Sequence, residues 1–146
     1  MACFSSEEMK RFNYLSFEID SAYHDAAVKM GLSDSAMLVL YAICAGGEAC
    51  PLSDIPRLSG VSKQTINSAL RKLEAEGLVY LKAGGGRKKL VCLTGRGGQV
   101  AERTVARVIG IENDIFSSWS EGERSLYLEL TMRYLTEFKK RIEAEL

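Results

Sequence analysis

The sequence predicts a mainly α-helical fold with one small β-hairpin. Near both ends of the 146-residue chain, apolar residues recur at steps of three and four, as they do along one stripe of an amphipathic helix. In the middle, two short helical segments are joined by a glycine-containing turn, and two β-forming runs then flank a glycine-rich basic segment. The composition, 47% hydrophobic and 26% charged, is that of an ordinary globular protein, and the length suits one domain over 1–146.

The first two helices are predicted from their apolar patterns and their ends. A long amphipathic helix runs from Glu7 to about Lys29, and Gly31 ends it. Ser33 can cap a second helix, from Ala36 to Ala45, by accepting a hydrogen bond from a free backbone amide. This second helix is apolar almost all round, so we expect it to be buried.

A helix-turn-helix is predicted next. Pro51 marks a turn, and Ser53 can cap a short third helix from Asp54 to Ser59. Gly60 breaks the chain, and a fourth helix runs from a cap at Ser62 to about Glu76. Its inner stripe is Ile66, Leu70 and Leu73, which leaves another face free to contact a partner.

A β-hairpin and two further helices complete the prediction. The hairpin pairs Leu78 to Lys82 with Leu90 to Leu93, and its tip is glycine-rich and basic. A fifth helix extends from a cap at Thr94 to about Phe116. Ser120 followed by Glu123 is a capping-box signature for a last helix that reaches Leu146.

Positive charge is concentrated in residues 57–96. This segment holds nine Lys or Arg residues and two acidic residues, a net charge of +7. The rest of the chain holds ten Lys or Arg residues and seventeen acidic residues, a net charge of −7. A basic surface of this kind suits a phosphate backbone.

The free face of the fourth helix has the side chains that read DNA. Gln64 and Asn67 can each pair with adenine, and Arg71 and Lys63 with guanine or phosphate, because a helix fits the major groove where base edges are distinguishable. Arg87 at the hairpin tip can enter a narrow minor groove. The full set of candidate DNA-binding residues is Ser62, Lys63, Gln64, Thr65, Asn67, Ser68, Arg71, Arg87, Lys88 and Lys89.

Three segments carry a resemblance to a known family: SKQTIN at 62–67, LRKLEAEGLV at 70–79, and Arg87 leading to LVCLTGRG at 90–97. They resemble the MarR (multiple antibiotic resistance regulator) winged-helix transcription regulators. The resemblance implies a winged helix-turn-helix lobe over 33–96, with the fourth helix reading double-stranded DNA and Arg87 as the wing arginine. Where the family usually has an aspartate two residues before that arginine, this chain has Gly85.

The resemblance also implies a homodimer and a small aromatic effector. The terminal regions, 1–30 and 97–146, would form the helical dimerisation region, and a two-fold dimer could engage both halves of a pseudo-palindromic operator. The predicted interface residues are Phe12, Tyr127, Tyr134, Phe138 and Ile142, with Phe4, Phe116 and Trp119 as further candidates, although the same residues would equally serve as core within one chain. The candidates for an effector pocket are Tyr23, His24, Met30, Met37 and Tyr41.

Other functions are less well supported by the sequence. It contains no nucleophile, phosphate-loop or nucleotide-binding motif of an enzyme, and its four cysteines and single histidine have no metal-ligand spacing, so we expect neither catalysis nor a cofactor. Without a membrane-spanning run or a signal peptide, we expect a cytoplasmic protein. Two alternatives stay open: a winged helix that binds protein instead of DNA, and a redox-sensing regulator that uses an exposed thiol such as Cys3. Cys44 is expected to be a small buried hydrophobe.

Overall fold

The chain folds into six α-helices and a three-stranded antiparallel sheet over the part that the computed structural model describes, residues 4–47, 49–58 and 60–146. The predicted thiol of Cys3 and the predicted helix end at Ser59 lie outside these residues. The elements are α1 (Glu7–Lys29), α2 (Asp34–Ala45), β1 (Ala49–Pro51), α3 (Lys63–Ala75), β2 (Val79–Ala83), β3 (Lys89–Leu93), α4 (Gly95–Arg103), α5 (Val105–Ser118) and α6 (Glu121–Glu145).

Most of the predicted helix ends are confirmed because side-chain caps specify them. The hydroxyl of Ser33 accepts a hydrogen bond from the Ala36 amide at 3.1 Å, and α2 begins at Asp34, two residues earlier than predicted. Ser120 and Glu123 form both hydrogen bonds of the predicted capping box at the start of α6. These local bonds satisfy amides that have no partner inside the helix.

The predicted third helix, from Asp54 to Ser59, is wrong. Two short 3-10 turns, Leu52–Asp54 and Pro56–Leu58, occupy this stretch, and Ser53 does not cap them. Pro56 begins the second turn, where its missing amide hydrogen leaves no helical bond unmade. Ile55, fully buried between the two turns, anchors the segment in the core.

The sheet contains one strand more than predicted. β3 lies in the centre, with β2 on one side and β1 on the other. In the predicted hairpin, Val79 faces Leu93 and Ala83 faces Lys89; in the additional pair, Ala49 faces Cys92 and Pro51 faces Leu90. The segment around Pro51 is therefore an edge strand as well as the approach to a turn, and a proline is tolerated there.

The predicted fifth helix is divided at Thr104 into α4 and α5. The Thr104 hydroxyl donates to the carbonyl of Val100 at 2.7 Å, and the Thr104 amide bonds to Ala101, three residues back. A threonine that bonds back to its own helix competes with the backbone ladder and bends the helix. Thr104 is also buried, so its hydroxyl finds its partner within the helix rather than in water.

The described residues cluster into two compact units whose boundary lies inside α5, after Ile109. The first unit contains the hydrophobic core. The buried residues of this core are Ala27, Met37, Val39, Leu40, Ala42, Ile43, Cys50, Ile55, Ile66, Ala69, Leu70, Leu73, Leu78, Val79, Val91, Ala101 and Val105. Five of them belong to α2, which confirms that this helix is buried.

The second unit, Gly110–Leu146, is held together at the turn between its two helices. The rings of Phe116, Trp119 and Tyr127 pack edge to face, with centroids 5.1 to 6.0 Å apart. The Arg124 guanidinium donates to the carbonyls of Phe116 and Trp119 at the end of α5. No residue of α6 is buried.

Within the described residues, no single helix combines the length and apolar character needed to cross a bilayer. The pair α1 and α2, bent by 94° at its junction, meets that test by length and composition only.

Candidate nucleic-acid interface

Helix α3 begins at a cap that holds its first turn. The Ser62 hydroxyl oxygen accepts a hydrogen bond from the Thr65 amide at 3.2 Å and pairs with the Thr65 hydroxyl at 2.9 Å. Both hydroxyls therefore have a structural partner within the chain. Ser62 and Thr65 were predicted to contact DNA, and in this structure they fix the end of the helix that would enter the groove.

The two faces of α3 are sharply divided. Ile66, Leu70 and Leu73 are buried, which confirms the predicted inner stripe, and Ala69 joins them. With 3.6 residues per turn, Gln64 and Arg71 lie on the side opposite this stripe. The six α3 candidates are all exposed: Lys63, Gln64, Thr65, Asn67, Ser68 and Arg71.

Ser68 differs from the other exposed side chains of α3 because its hydroxyl is already engaged. It donates its hydrogen to the carbonyl of Gln64 at 3.0 Å. A phosphate oxygen accepts hydrogen bonds but cannot donate one. Ser68 must therefore break this bond before it can donate to a phosphate, so it is a weaker candidate than Lys63 or Arg71.

The hairpin tip is shaped by its glycines. Gly85 and Gly86 have φ values of +94° and +60°, in the left-handed region that favours glycine. The Lys88 amide bonds to the Gly85 carbonyl at 3.2 Å and closes the turn around Arg87. Arg87, Lys88 and Lys89 are exposed, and Lys88 lies in the turn rather than in β3.

The base of the hairpin is attached to the start of α4 through Thr94. The Thr94 hydroxyl donates to the carbonyl of Gly77 at 2.6 Å, and its amide donates to the carbonyl of Leu78 at 3.0 Å. The same hydroxyl oxygen accepts from the Gly97 amide and so caps α4, as predicted. Gly97 is buried against Leu78, where an added Cβ would collide with the backbone.

The structure brings most of the predicted DNA-binding residues to two clefts on either side of α3. The cleft on the hairpin side has a volume of about 720 Å³; its polar lining includes Arg57, Lys63, Asn67, Arg87, Lys88 and Lys89. The cleft on the α2 side has a volume of about 530 Å³, and its polar lining includes Gln64, Thr65, Ser68, Lys72 and the acidic Glu76. The cations are concentrated in the hairpin-side cleft, and a helix bordered by such a basic cleft suits a duplex groove bordered by phosphates.

A comparison of sequence families relates this chain to known proteins. The MarR family profile matches residues 30–89, the segment that contains α2, α3 and most of the hairpin. Over these residues the chain is similar to the MarR family. Members of this family are transcription regulators and not enzymes, and one solved structure of the same fold is a complex with DNA. The predictions of family and of a mainly α winged helix-turn-helix fold are confirmed.

Solved structures show the same fold at low sequence identity. A MarR family regulator from Neisseria meningitidis is 19% identical with a TM-score of 0.77, and the match covers 96% of this chain and 99% of that one. The MepR-DNA complex of S. aureus is 20% identical with a TM-score of 0.64, covering 92% and 98%. BpsR of Bordetella bronchiseptica, whose DNA binding is regulated by 6-hydroxynicotinic acid, is 22% identical with a TM-score of 0.59, covering 84% and 97%. Among curated proteins, none matches the sequence.

The effector candidates of this chain lie in different surroundings. Met37 is buried in the core, and Met30 and Tyr41 pack against that core. His24 is exposed and pairs through Nδ1 with the Asp34 carboxylate at 2.9 Å, which ties α1 to the start of α2. None of the clefts beside α3 or at the hairpin is lined by Tyr23, His24, Met30, Met37 or Tyr41.

The cysteines are poorly suited to redox sensing where the structure describes them. Cys50 and Cys92 are buried, and burial, followed by the nearby charge of Asp54, raises the pKa of the Cys50 thiol. A thiol with a raised pKa supplies little of the reactive thiolate. Cys44 is half-buried rather than fully buried as predicted. Among the described residues, no group of three or more His, Cys, Asp and Glu side chains could hold a metal ion.

The predicted dimer residues are exposed. Phe12 on α1 is 45% exposed, and Phe138 on α6 is 51% exposed. The others are Tyr127, Tyr134 and Ile142 on α6, and Tyr134 stacks on Phe138 with ring centroids 5.6 Å apart.

Proposed function

We propose that this chain is a sequence-specific regulator of the MarR family that binds a pseudo-palindromic operator as a homodimer. The observation that carries the proposal is the cleft on the hairpin side, where Lys63 and Asn67 of α3 share one surface with Arg87 of the hairpin. A base-reading side chain and flanking cations on one surface are the two parts that DNA recognition requires. Such a role implies a cytoplasmic protein.

The base-reading part of the proposal concerns the outermost face of α3. Gln64 and Arg71 lie opposite the buried stripe, so they would reach deepest into a major groove, with Asn67 beside them. Glutamine and asparagine can pair bidentately with adenine, and arginine with guanine. The capped amino terminus of α3 adds a partial positive charge at the end where Lys63 stands.

The homodimer is supported by the wide apolar surface of α6. Its main apolar stripe repeats every four residues and advances about 40° around the helix at each step; the stripe consists of Leu126, Leu130, Tyr134, Phe138 and Ile142. A second apolar set, Leu128, Met132 and Leu135, lies next to this stripe on the helix. The two sets together cover more than half of the helix circumference. The exposed apolar residues of α6 are Leu126, Tyr127, Leu128, Leu130, Met132, Tyr134, Leu135, Phe138 and Ile142. A helix that is apolar over so wide an arc is normally buried by more than one neighbour, and a second copy of the chain would supply one of them.

A small aromatic effector is part of the proposal. BpsR, a solved structure of the same fold, responds to 6-hydroxynicotinic acid. In this chain Tyr23 and His24 of α1 and Tyr41 of α2 offer aromatic and polar groups, and His24 pairs with Asp34 at the start of α2. An effector would lower DNA affinity only by preferring a dimer whose two α3 helices are misplaced relative to one helical turn of DNA.

Selection of bound fragments from random DNA tests the function. We expect an enriched sequence with two-fold symmetry and half-sites about one helical turn apart. Asn67→Ala and Arg71→Ala should each weaken binding to the selected duplex roughly tenfold to hundredfold, because a bidentate base contact is worth about 1–3 kcal/mol. Arg103→Ala, an exposed arginine at the end of α4, is the control. All variants should sediment as the wild-type dimer.

The same titrations separate the proposal from its main rival, a winged helix that binds protein. A DNA reader releases counterions, so its affinity should fall steeply as salt rises. If selection enriches no sequence and binding at low salt is absent, the DNA-reading role is refuted.

A further inference from the structure

The segment before α3 holds an arginine that the predicted recognition surface did not include. Ile55 is fully buried, and Pro51 is paired with Leu90 in the sheet, so the two 3-10 turns are anchored at both points. Arg57 follows Ile55 by two residues and is exposed. Arg57 lines the hairpin-side cleft together with Lys63 and the hairpin cations.

The hairpin-side cleft combines apolar and positively charged lining residues, a combination that suits a nucleic-acid strand. Leu52, Pro56 and Ile66 give it an apolar floor, and its rim has five cations. Among the described residues that line it, none is acidic. A single nucleic-acid strand alternates apolar sugars with anionic phosphates, so its sugars fit the floor and its phosphates fit the rim.

We infer that the hairpin-side cleft holds the sugar-phosphate backbone of one DNA strand, and that Arg57 is a phosphate-binding residue outside both α3 and the hairpin. The inference rests on the proposed function, because the cleft is continuous with the base-reading face of α3. A guanidinium presents several donors in a planar fork that matches phosphate oxygens. Ile55 holds the Arg57 segment in the core, and Pro51 pairs with strand β3 and not with the glycine-rich tip, so Arg57 would fix the register of α3 independently of that tip.

The salt dependence of binding by an Arg57→Gln variant tests this inference. Affinity is measured by fluorescence anisotropy, between about 50 and 200 mM salt, for the selected duplex and for a scrambled duplex of equal length. Affinity falls as salt rises, and each phosphate contact adds about 0.9 to the steepness of the plot of log affinity against log salt. Arg57→Gln should lower the slope by about one per bound protomer and weaken both duplexes by the same factor, roughly fivefold to tenfold per protomer at 0.1 M salt.

Three matched variants keep the test interpretable. Arg57→Lys retains the charge and should retain the slope, whereas Arg57→Met retains an apolar stem without charge and should behave like Arg57→Gln. Arg103→Gln removes one exposed positive charge at a position that lines neither cleft beside α3, and it should leave the slope unchanged. Circular dichroism and thermal melting confirm that each variant is folded.

The outcomes separate this inference from the proposed function. A slope equal to that of the wild type in both uncharged variants would overturn the phosphate role of Arg57, even if the protein selects an operator. A loss confined to the selected duplex would also overturn it, because Arg57 would then be reading bases. If the wild type selects no operator but Arg57→Gln still lowers the slope on scrambled DNA, the phosphate site stands and sequence-specific regulation fails.

Discussion

Two adjacent glycines in α4 offer a sharp test of how the hairpin is attached to the helices. A Cβ at position 97 would lie 2.8 Å from the carbonyl carbon of Leu78 and closer still to its oxygen. A Cβ at position 98 would meet nothing within 4 Å. Both glycines lie inside the same helix, and neither has a positive φ. The same substitution at neighbouring positions should therefore have opposite effects.

Gly98→Ala should stabilise the protein by about 0.5–1 kcal/mol, because alanine is the better helix former. Gly97→Ala has the same gain in helix propensity, but its Cβ would collide with the backbone of Leu78 and push α4 away from it. That movement breaks the hydrogen bonds from Thr94 to the carbonyls of Gly77 and Leu78, each worth about 0.5–1.5 kcal/mol, and adds overpacking strain of about 1–3 kcal/mol. We expect a net loss of roughly 2–4 kcal/mol.

Urea unfolding followed by far-UV circular dichroism measures both effects. Protein concentration must be identical in all samples, because association stabilises the folded chain by mass action. The midpoints should move in opposite directions while the urea dependence of the free energy stays constant. A Gly97→Ala protein as stable as the wild type would show that α4 does not pack directly on the backbone of Leu78.

Three further predictions concern the other parts of the chain. The Ser120 backbone amide, and then its hydroxyl, lower the pKa of Glu123. The ionised carboxylate therefore stabilises the folded protein above its ordinary pKa of 4.5, and this stability is lost as the pH falls through the lowered pKa. In Glu123→Gln, the melting temperature should depend less on pH below about 4.5 than it does in the wild type. A pH dependence equal to that of the wild type would contradict this. Removal of residues 138–146 should yield monomers or aggregates in sedimentation, and a clean dimer would refute the interface. Cys50 should be labelled slowly by a thiol reagent at neutral pH in the native protein and quickly in urea, as its burial requires; rapid native labelling would restore the redox alternative.

The helices were largely predictable because their signals are local. Ser33, Ser62, Thr94 and Ser120 each cap a helix through a bond to a residue three positions ahead, a distance that sequence spacing shows directly. Strand β1 was missed for the opposite reason. It has three residues and no alternation, and it exists because β3, about forty residues later, pairs with it.

The two other errors in the fold have the same origin. A proline is tolerated in the first turn of a helix, so Pro56 does not argue against the predicted third helix, but the segment is short and is anchored by the buried Ile55. The break at Thr104 depends on the burial of that side chain, and the sequence from Gly95 to Phe116 does not reveal which of its polar residues will be buried.

The candidate interface was predictable in type and less so in detail. The charge pattern puts Arg57 in the basic segment, but only the folded turns bring it to the cleft that Lys63 also lines. Conversely, spacing made Ser68 resemble a phosphate contact, whereas its hydroxyl is committed to the helix backbone. Residue type shows which groups are available, and only the structure shows which are already engaged.

The opposite net charges of +7 and −7 have a consequence for handling the protein. A chain that is neutral overall but strongly dipolar attracts its own copies when few ions screen it, basic lobe to acidic surface. We expect its solubility to rise with added salt near its isoelectric point of about 6.6. Crystallisation and storage would then favour high ionic strength, which lowers the affinity for DNA. Crystallisation and DNA-binding assays therefore need different buffers.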